Sequence, residues 1–143
     1  MDNLSIPYRI LRHDKVVTME DVRNVTGISY DLMAKTLVVK VRDLLYQVVL
    51  LGCERLDKHK LAAYLDVKKS DIELLAKEVI EQTIGIQVGA IPPFGLGLPV
   101  VIDQRIATLD IVYCGFGSVN TSLEIQAADL VRVSHGKVAD ITV

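Results

Sequence analysis

The sequence predicts a mixed α/β fold of the α+β type, with about seven or eight strands and about four helices, and three observations carry that expectation. Valine (20) and isoleucine (13) together supply 33 of the 143 residues, and β-branched side chains suit a pleated, half-buried surface. Short apolar runs that read as strands are mixed with segments of helical spacing rather than alternating strictly with them. Half of the residues are hydrophobic, enough for a chain of this size to bury a core without disulfide or metal. Residues 1–143 are taken as a single domain.

Ile6 to His13, with Pro7 at its start, reads as a first strand. Thr18 followed by Met19, Glu20 and Asp21 reads as a helix start, with Gly27 as its stop. Lys35–Val41 and Leu44–Leu51, separated only by Arg42-Asp43, read as a hairpin whose two strands are apolar enough to be largely buried. Asp57 is placed to cap a helix over Lys58–Leu65, where Leu61, Ala62 and Leu65 share a face. A short strand over Ile72–Leu75 and a helix over Ala76–Thr83, ended by Gly85, come next. Gln87 to Pro99 holds three of the four prolines and three of the nine glycines, which excludes a regular helix or a central strand. The remaining elements are strands over Leu98–Asp103, Asp110–Cys114, Thr121–Ile125 and Lys137–Thr142, a short turn or helix before Asp110, and a helix over Ala127–Val133.

A net charge of −2 and a pI of about 5.9 exclude a strongly basic arm and a polybasic membrane anchor. Cys53 and Cys114 are far apart and have no Cys or His at metal-ligand spacing, so they read as reduced, partly buried thiols. His13, His59 and His135 are scattered, without the spacing of a metal site. No metal and no cofactor is expected. No apolar run is long enough to span a bilayer, and the N-terminus lacks the layout of a signal peptide, so the expected location is the cytoplasm.

The candidate chemistry gathers on two segments. In Gly89-Ala90-Ile91-Pro92-Pro93-Phe94-Gly95, glycine permits close backbone approach while proline fixes φ and removes donors. The N–H groups that remain, on Gly89, Ala90, Ile91, Phe94 and Gly95, suit a carbonyl oxygen or an anion. Ile91, Phe94 and Leu96 are unusual in a solvated turn and suit a pocket rim. Lys35, ahead of Leu37-Val38-Val39, sits at the mouth of a buried strand, where its amine projects into a cleft or merely snorkels. Gly115-Phe116-Gly117-Ser118 superficially suggests a dinucleotide fingerprint but opens onto a strand, so it reads as a tight loop that lines a site. Cys114, at a strand end, is a candidate nucleophile or a buried thiol.

Ala34-Lys35-Thr36-Leu37-Val38-Val39, the Arg55-Leu56-Asp57 helix start, Gly85 through Gly95, Leu98-Pro99-Val100-Val101-Ile102-Asp103, and Gly117-Ser118 before Leu123-Glu124-Ile125 resemble the YbaK family. These are free-standing relatives of the editing domain inserted in bacterial prolyl-tRNA synthetase. The similarity runs in order from Ile6-Pro7-Tyr8 to the last strand. It implies a barrel-like mixed sheet flanked by helices, and a trans-editing deacylase that hydrolyses the ester of a mischarged tRNA, with a small amino acid such as cysteine or alanine on tRNA-Pro as the expected substrate. The resemblance assigns catalytic roles to Lys35 and Gly89, and substrate binding to Thr36, Ala90, Ile91, Pro92, Pro93, Phe94, Gly117 and Ser118. The implied partners are the acceptor 3′ end of the tRNA and an aminoacyl-tRNA synthetase. The alternative is a non-catalytic tRNA- or nucleotide-binding module that keeps the same pocket.

Overall fold

A computed structural model of the chain describes residues 8–13, 24, 26–87, 90–117 and 120–143. At the centre of the sheet, β2 (Met33–Val41) and β3 (Leu44–Leu51) pair antiparallel, with Thr36 opposite Val49 and Val38 opposite Gln47. Arg42 closes the hairpin in the left-handed region at φ 55. The other strands are β1 (Tyr8–Arg12), β4 (Ile72–Leu74), β5 (Val100–Asp103), β6 (Ile111–Gly115), β7 (Thr121–Gln126) and β8 (Lys137–Ala139). The order is β1-β7-β6-β2-β3-β5-β8, with β4 attached to β2 outside that path. Antiparallel and parallel pairs coexist: β2–β6, β3–β5 and β5–β8 are parallel. This is the mixed eight-stranded sheet that the scattered strand signals predict.

Four α-helices with bounds among the described residues accompany it, α1 (Lys58–Leu65), α2 (Lys77–Ile84), α3 (Gln104–Ala107) and α4 (Ala127–Ser134), besides the single 3-10 turns Tyr30–Leu32 and Lys69–Asp71. Asp57 caps α1 as expected, its carboxylate accepting the N–H groups of His59 and Lys60 at 2.9 and 3.2 Å. Gly85 ends α2 at φ 79. The β2–β3–β5 centre is buried on both sides. On one face Ala34, Val49, Ile102, Val112, Leu123 and Leu130 form the larger core, covered by α3 and α4. On the other face Val39, Val48, Leu50, Val101 and Ile141 pack against Leu61 and Ala62 of α1. Such two-sided burial explains why both hairpin strands are almost continuously apolar.

The differences from the sequence expectation have local causes. The last strand stops at Ala139 instead of reaching Thr142, because the buried Asp103 carboxylate captures the Ile141 N–H at 3.2 Å and the Thr142 hydroxyl at 3.3 Å. The chain then bridges to Leu56 through Thr142. β5 starts at Val100 rather than Leu98, and the Pro99 carbonyl accepts the Gln47 N–H at 2.9 Å. Gly115 belongs to β6 and not to the loop after it. Gly136 crosses Ile102 so closely that an added Cβ would lie 2.7 Å from Ile102 Cδ1. Most of the helix expected from Thr18 lies outside the described residues, as do Ile6 and Pro7. Cys53 is exposed and Cys114 buried, so the two thiols are not alike. Among the described residues no helix is long and apolar enough to cross a membrane.

Candidate functional site

The outer edge of β2 is forked. β6 pairs with its start, at Met33 and Ala34, and β4 pairs with its end, at Val39 to Val41. Lys35 to Val38 lie between the two ladders. A cavity of about 230 Å³ opens at this gap, walled by Thr36, Leu37 and Val38 of β2, Leu74, Leu75, Ile80 of α2, and Ile91 of the glycine-proline loop. Val38, Ile80 and Ile91 are buried against one another, with Leu45, Leu75 and Ile84 packed around them. The loop therefore supplies one wall, as the apolar content of Ile91 suggested.

Backbone and side-chain hydrogen bonds fix the loop to the sheet. Gln47, fully buried in the middle of β3, donates through Nε2 to the Pro92 carbonyl at 2.7 Å. Its own N–H goes to Pro99 O, so one residue holds both ends of the proline-rich stretch. Gly117 N donates to Ala90 O at 2.7 Å, which brings the two loop segments singled out in the sequence into contact. The Ala90 N–H donates to Gln87 O at 3.0 Å and is not a free donor, unlike the sequence expectation. Ile91 N has no backbone acceptor among the described residues. Phe94 and Pro93 are buried, Phe94 within the larger core beside Ala34 and Cys114 rather than on the cavity wall. Gly89 and Ser118 lie outside the described residues.

Lys35 and Thr36 point to opposite faces of β2, since successive strand residues alternate. Thr36 shares the loop face with Val49, whereas Lys35 shares the other face with Leu50. The Lys35 ammonium reaches Gly52 O at 3.5 Å. Burial lowers its pKa from the ordinary lysine value; Cys53 and Glu54 act the other way, and Arg55 acts with burial. An amine in that state is a strong donor that gives up its proton more readily than a solvated lysine.

Two buried side-chain polar atoms have no partner among the described residues, Thr36 Oγ1 and Gln47 Oε1. Both residues belong to the loop face, because Val38, two residues after Thr36, pairs with Gln47. Gln47 was missed in the sequence although it carries a signal, as the one polar residue in the run Leu44–Leu51 apart from Tyr46. Leu74, Leu75 and Ile80 were missed as wall residues because nothing local marks them as neighbours of Thr36.

The other candidates fall away from the cavity. Cys114 is completely buried, and burial pushes its thiol up to about 12, so it carries no thiolate to attack a substrate. His13 Nε2 lies 2.8 Å from Ser122 Oγ on the far strands, and His135 ends α4 at φ 54. Among the described residues no group of three His, Cys, Asp or Glu side chains could hold a metal ion.

Comparison with known proteins agrees with this architecture. Residues 13–133 match the family model described as the aminoacyl-tRNA editing domain. The proline–tRNA ligase of Thermoanaerobacter pseudethanolicus is 29% identical over 93 residues, 64% of this chain and 16% of that protein. The proline–tRNA ligase of Sulfurihydrogenibium sp. is 33% identical over 95 residues, 66% of this chain and 16% of that protein. The chain thus spans about a sixth of the length of these relatives. Among solved structures, the hypothetical protein APE2540 superposes with a TM-score of 0.86 at 25% identity, covering 96% of this chain and 92% of that one. A candidate trans-editing enzyme for prolyl tRNA synthetase shares the fold with a TM-score of 0.83 at 19% identity, over 95% of this chain and 87% of that one.

Proposed function

Since the chain belongs to the aminoacyl-tRNA editing domain family, we propose that it is a trans-acting aminoacyl-tRNA deacylase, a hydrolase of the ester that joins a small amino acid such as cysteine or alanine to tRNA-Pro. The observation that carries this reading is the cavity of about 230 Å³ beside a loop fixed by buried hydrogen bonds. That volume lies below the ~300–1,000 Å³ of pockets for drug-sized ligands. It has room for an aminoacyl group rather than a drug-sized ligand.

An aminoacyl ester is already activated, so its hydrolysis needs a positioned water and stabilisation of the developing oxyanion rather than a protein nucleophile. The absence of an accessible thiolate at Cys114 fits that economy. In this reading the side chain enters the cavity, and the ester carbonyl faces the loop amide of Ile91; the role the resemblance assigns to Gly89 falls outside the described residues. Water oxygen bonds to the carbonyl carbon, the ester C–O bond breaks, and the 3′ oxygen of the ribose leaves with a proton. Lys35 holds the terminal adenosine or its phosphate as a cationic donor. A protein of net charge −2 has little nonspecific pull on a polyanion, so tRNA affinity is modest, salt-sensitive and centred on the acceptor end, with a synthetase supplying further grip.

A second reading, a tRNA- or nucleotide-binding module without turnover, is favoured by one pair of observations. The Lys35 ammonium is turned to Gly52, and the Ala90 amide is spent on Gln87. A deacylation panel of mischarged tRNAs, run with wild type and Lys35→Ala, separates the two. Hydrolysis by wild type that falls about 100-fold in Lys35→Ala supports the deacylase; equal rates remove Lys35 from the mechanism. Binding with no hydrolysis of any charged tRNA establishes the module instead.

A further inference from the structure

We propose that a groove over β1, β6 and β7 carries the single-stranded 3′ end of the tRNA beyond its terminal adenosine, with Arg9 and Arg12 on phosphates and the Tyr113 ring against a base; this rests on the deacylase reading above and names its docking surface. The groove, of about 380 Å³, is lined among others by Arg9, Arg12, His13, Ile28, Tyr113 and Glu124. Its place relative to Lys35 follows from the ladders. Met33 stands opposite Tyr113, Tyr113 opposite Glu124, and Glu124 opposite Arg9. Residues directly opposite share a face of the sheet, and Lys35, two residues after Met33, returns to that face. Neighbouring strands lie about 4.8 Å apart, so Tyr113 is about 5 Å and Arg9 about 14 Å across the sheet from the strand of Lys35.

A cationic groove with an aromatic side chain is the combination that holds a single-stranded nucleic acid. Arg12 is exposed, and its guanidinium has no partner among the described residues. Arg9, two-thirds exposed, donates to Glu124 at 2.7 Å and keeps further N–H groups for a phosphate. Glu124 also takes the Tyr113 hydroxyl, so one carboxylate braces both groups, while Met33 packs against Tyr113 and Ile28. Two guanidinium groups against one carboxylate leave this groove positive in a chain of net charge −2. An acidic peptide would meet the same guanidinium groups but offers Tyr113 no flat base, which separates the two occupants.

The experiment measures the affinity of uncharged tRNA-Pro for wild type, Arg12→Gln, Tyr113→Leu and Tyr113→Phe over a series of salt concentrations. The same tRNA trimmed of its single-stranded 3′ end, and polyglutamate, serve as further probes. Arg12→Gln is expected to reduce the slope of log affinity against log salt by about 0.7, the value for one phosphate of a single strand. Tyr113→Leu weakens binding about tenfold with the slope unchanged, and Tyr113→Phe, which keeps the ring, recovers most of that loss. Neither effect appears with the trimmed tRNA. Wild-type affinity in both Arg12→Gln and Tyr113→Leu, equal losses on the trimmed tRNA, or a wild type that binds intact and trimmed tRNA alike overturns the inference; the deacylase reading then stands if wild type hydrolyses a mischarged tRNA. Polyglutamate bound as tightly as intact tRNA makes the groove a general anion surface and also overturns it. If the expected binding pattern appears but wild type hydrolyses no charged tRNA, the docking surface is upheld and the deacylase reading fails.

Discussion

Gln47 Nε2 and the Pro92 carbonyl, 45 residues apart in sequence, meet at 2.7 Å, and this bond seats the glycine-proline loop on the sheet. Gln47→Leu removes it and leaves Pro92 O unpaired, but it also removes Oε1, which has no partner. The two effects offset, so the expected loss of stability in urea denaturation is about 1 kcal/mol. Under the proposed deacylase reading, Gln47→Leu also lowers the deacylation rate, because the loop wall loses its tether. A loss above about 3 kcal/mol would show that Gln47 serves the core more than the loop.

Lys35 gives a pH dependence with a defined sign. Its pKa is lowered by burial in the folded chain, so between that lowered value and the ordinary lysine value the unfolded chain binds more protons. Stability therefore rises with pH across that window, and the burden of the charged amine is fully present below it. Lys35→Met is expected to melt above wild type at neutral pH, with the difference shrinking as the pH approaches the ordinary lysine range. A difference that is constant with pH would assign the effect to packing.

Asp103 anchors the end of the chain. Its buried carboxylate accepts the N–H groups of Ile141 and Arg105 and the Thr142 hydroxyl, with the Arg105 guanidinium 3.8 Å away. Asp103→Ala is expected to cost about 2–4 kcal/mol and to abolish hydrogen-exchange protection at Ile141. Retained protection at Ile141 would mean that the hydrophobic contacts of that residue suffice.

The cysteines respond differently to a thiol reagent. Native protein should react at the exposed Cys53 alone, and Cys114, at about 12, only on unfolding. Cys114→Ala is expected to retain deacylation. Loss of activity in that variant, with the fold intact, would restore the thiol to the mechanism.

Local patterns were the legible part of the fold. The β2–β3 hairpin, the Asp57 cap and the Gly85 stop are each written within a few consecutive residues, and each appears where the pattern places it. Lys137–Thr142 was legible only to Ala139, because the competing acceptor, Asp103, sits 38 residues upstream of Ile141. The cavity was half legible. Ile91 announced itself as an apolar residue in a turn, but its neighbours Val38 and Ile80 come from separate segments, and their convergence is set by the forked pairing of β2. Composition likewise counted Ala90 as a donor, whereas its N–H closes a turn onto Gln87.

The fork in β2 also limits what else this protein can bind. An unpaired strand edge ordinarily invites another extended chain to add itself to the sheet. Among the described residues the open stretch is only Lys35 to Val38, stopped at one end by β6 and at the other by β4. A strand of ordinary length, roughly five or six residues, does not fit without stripping one of those neighbours away. The same arrangement that opens this stretch of β2 to a compact ligand therefore shuts it to peptides.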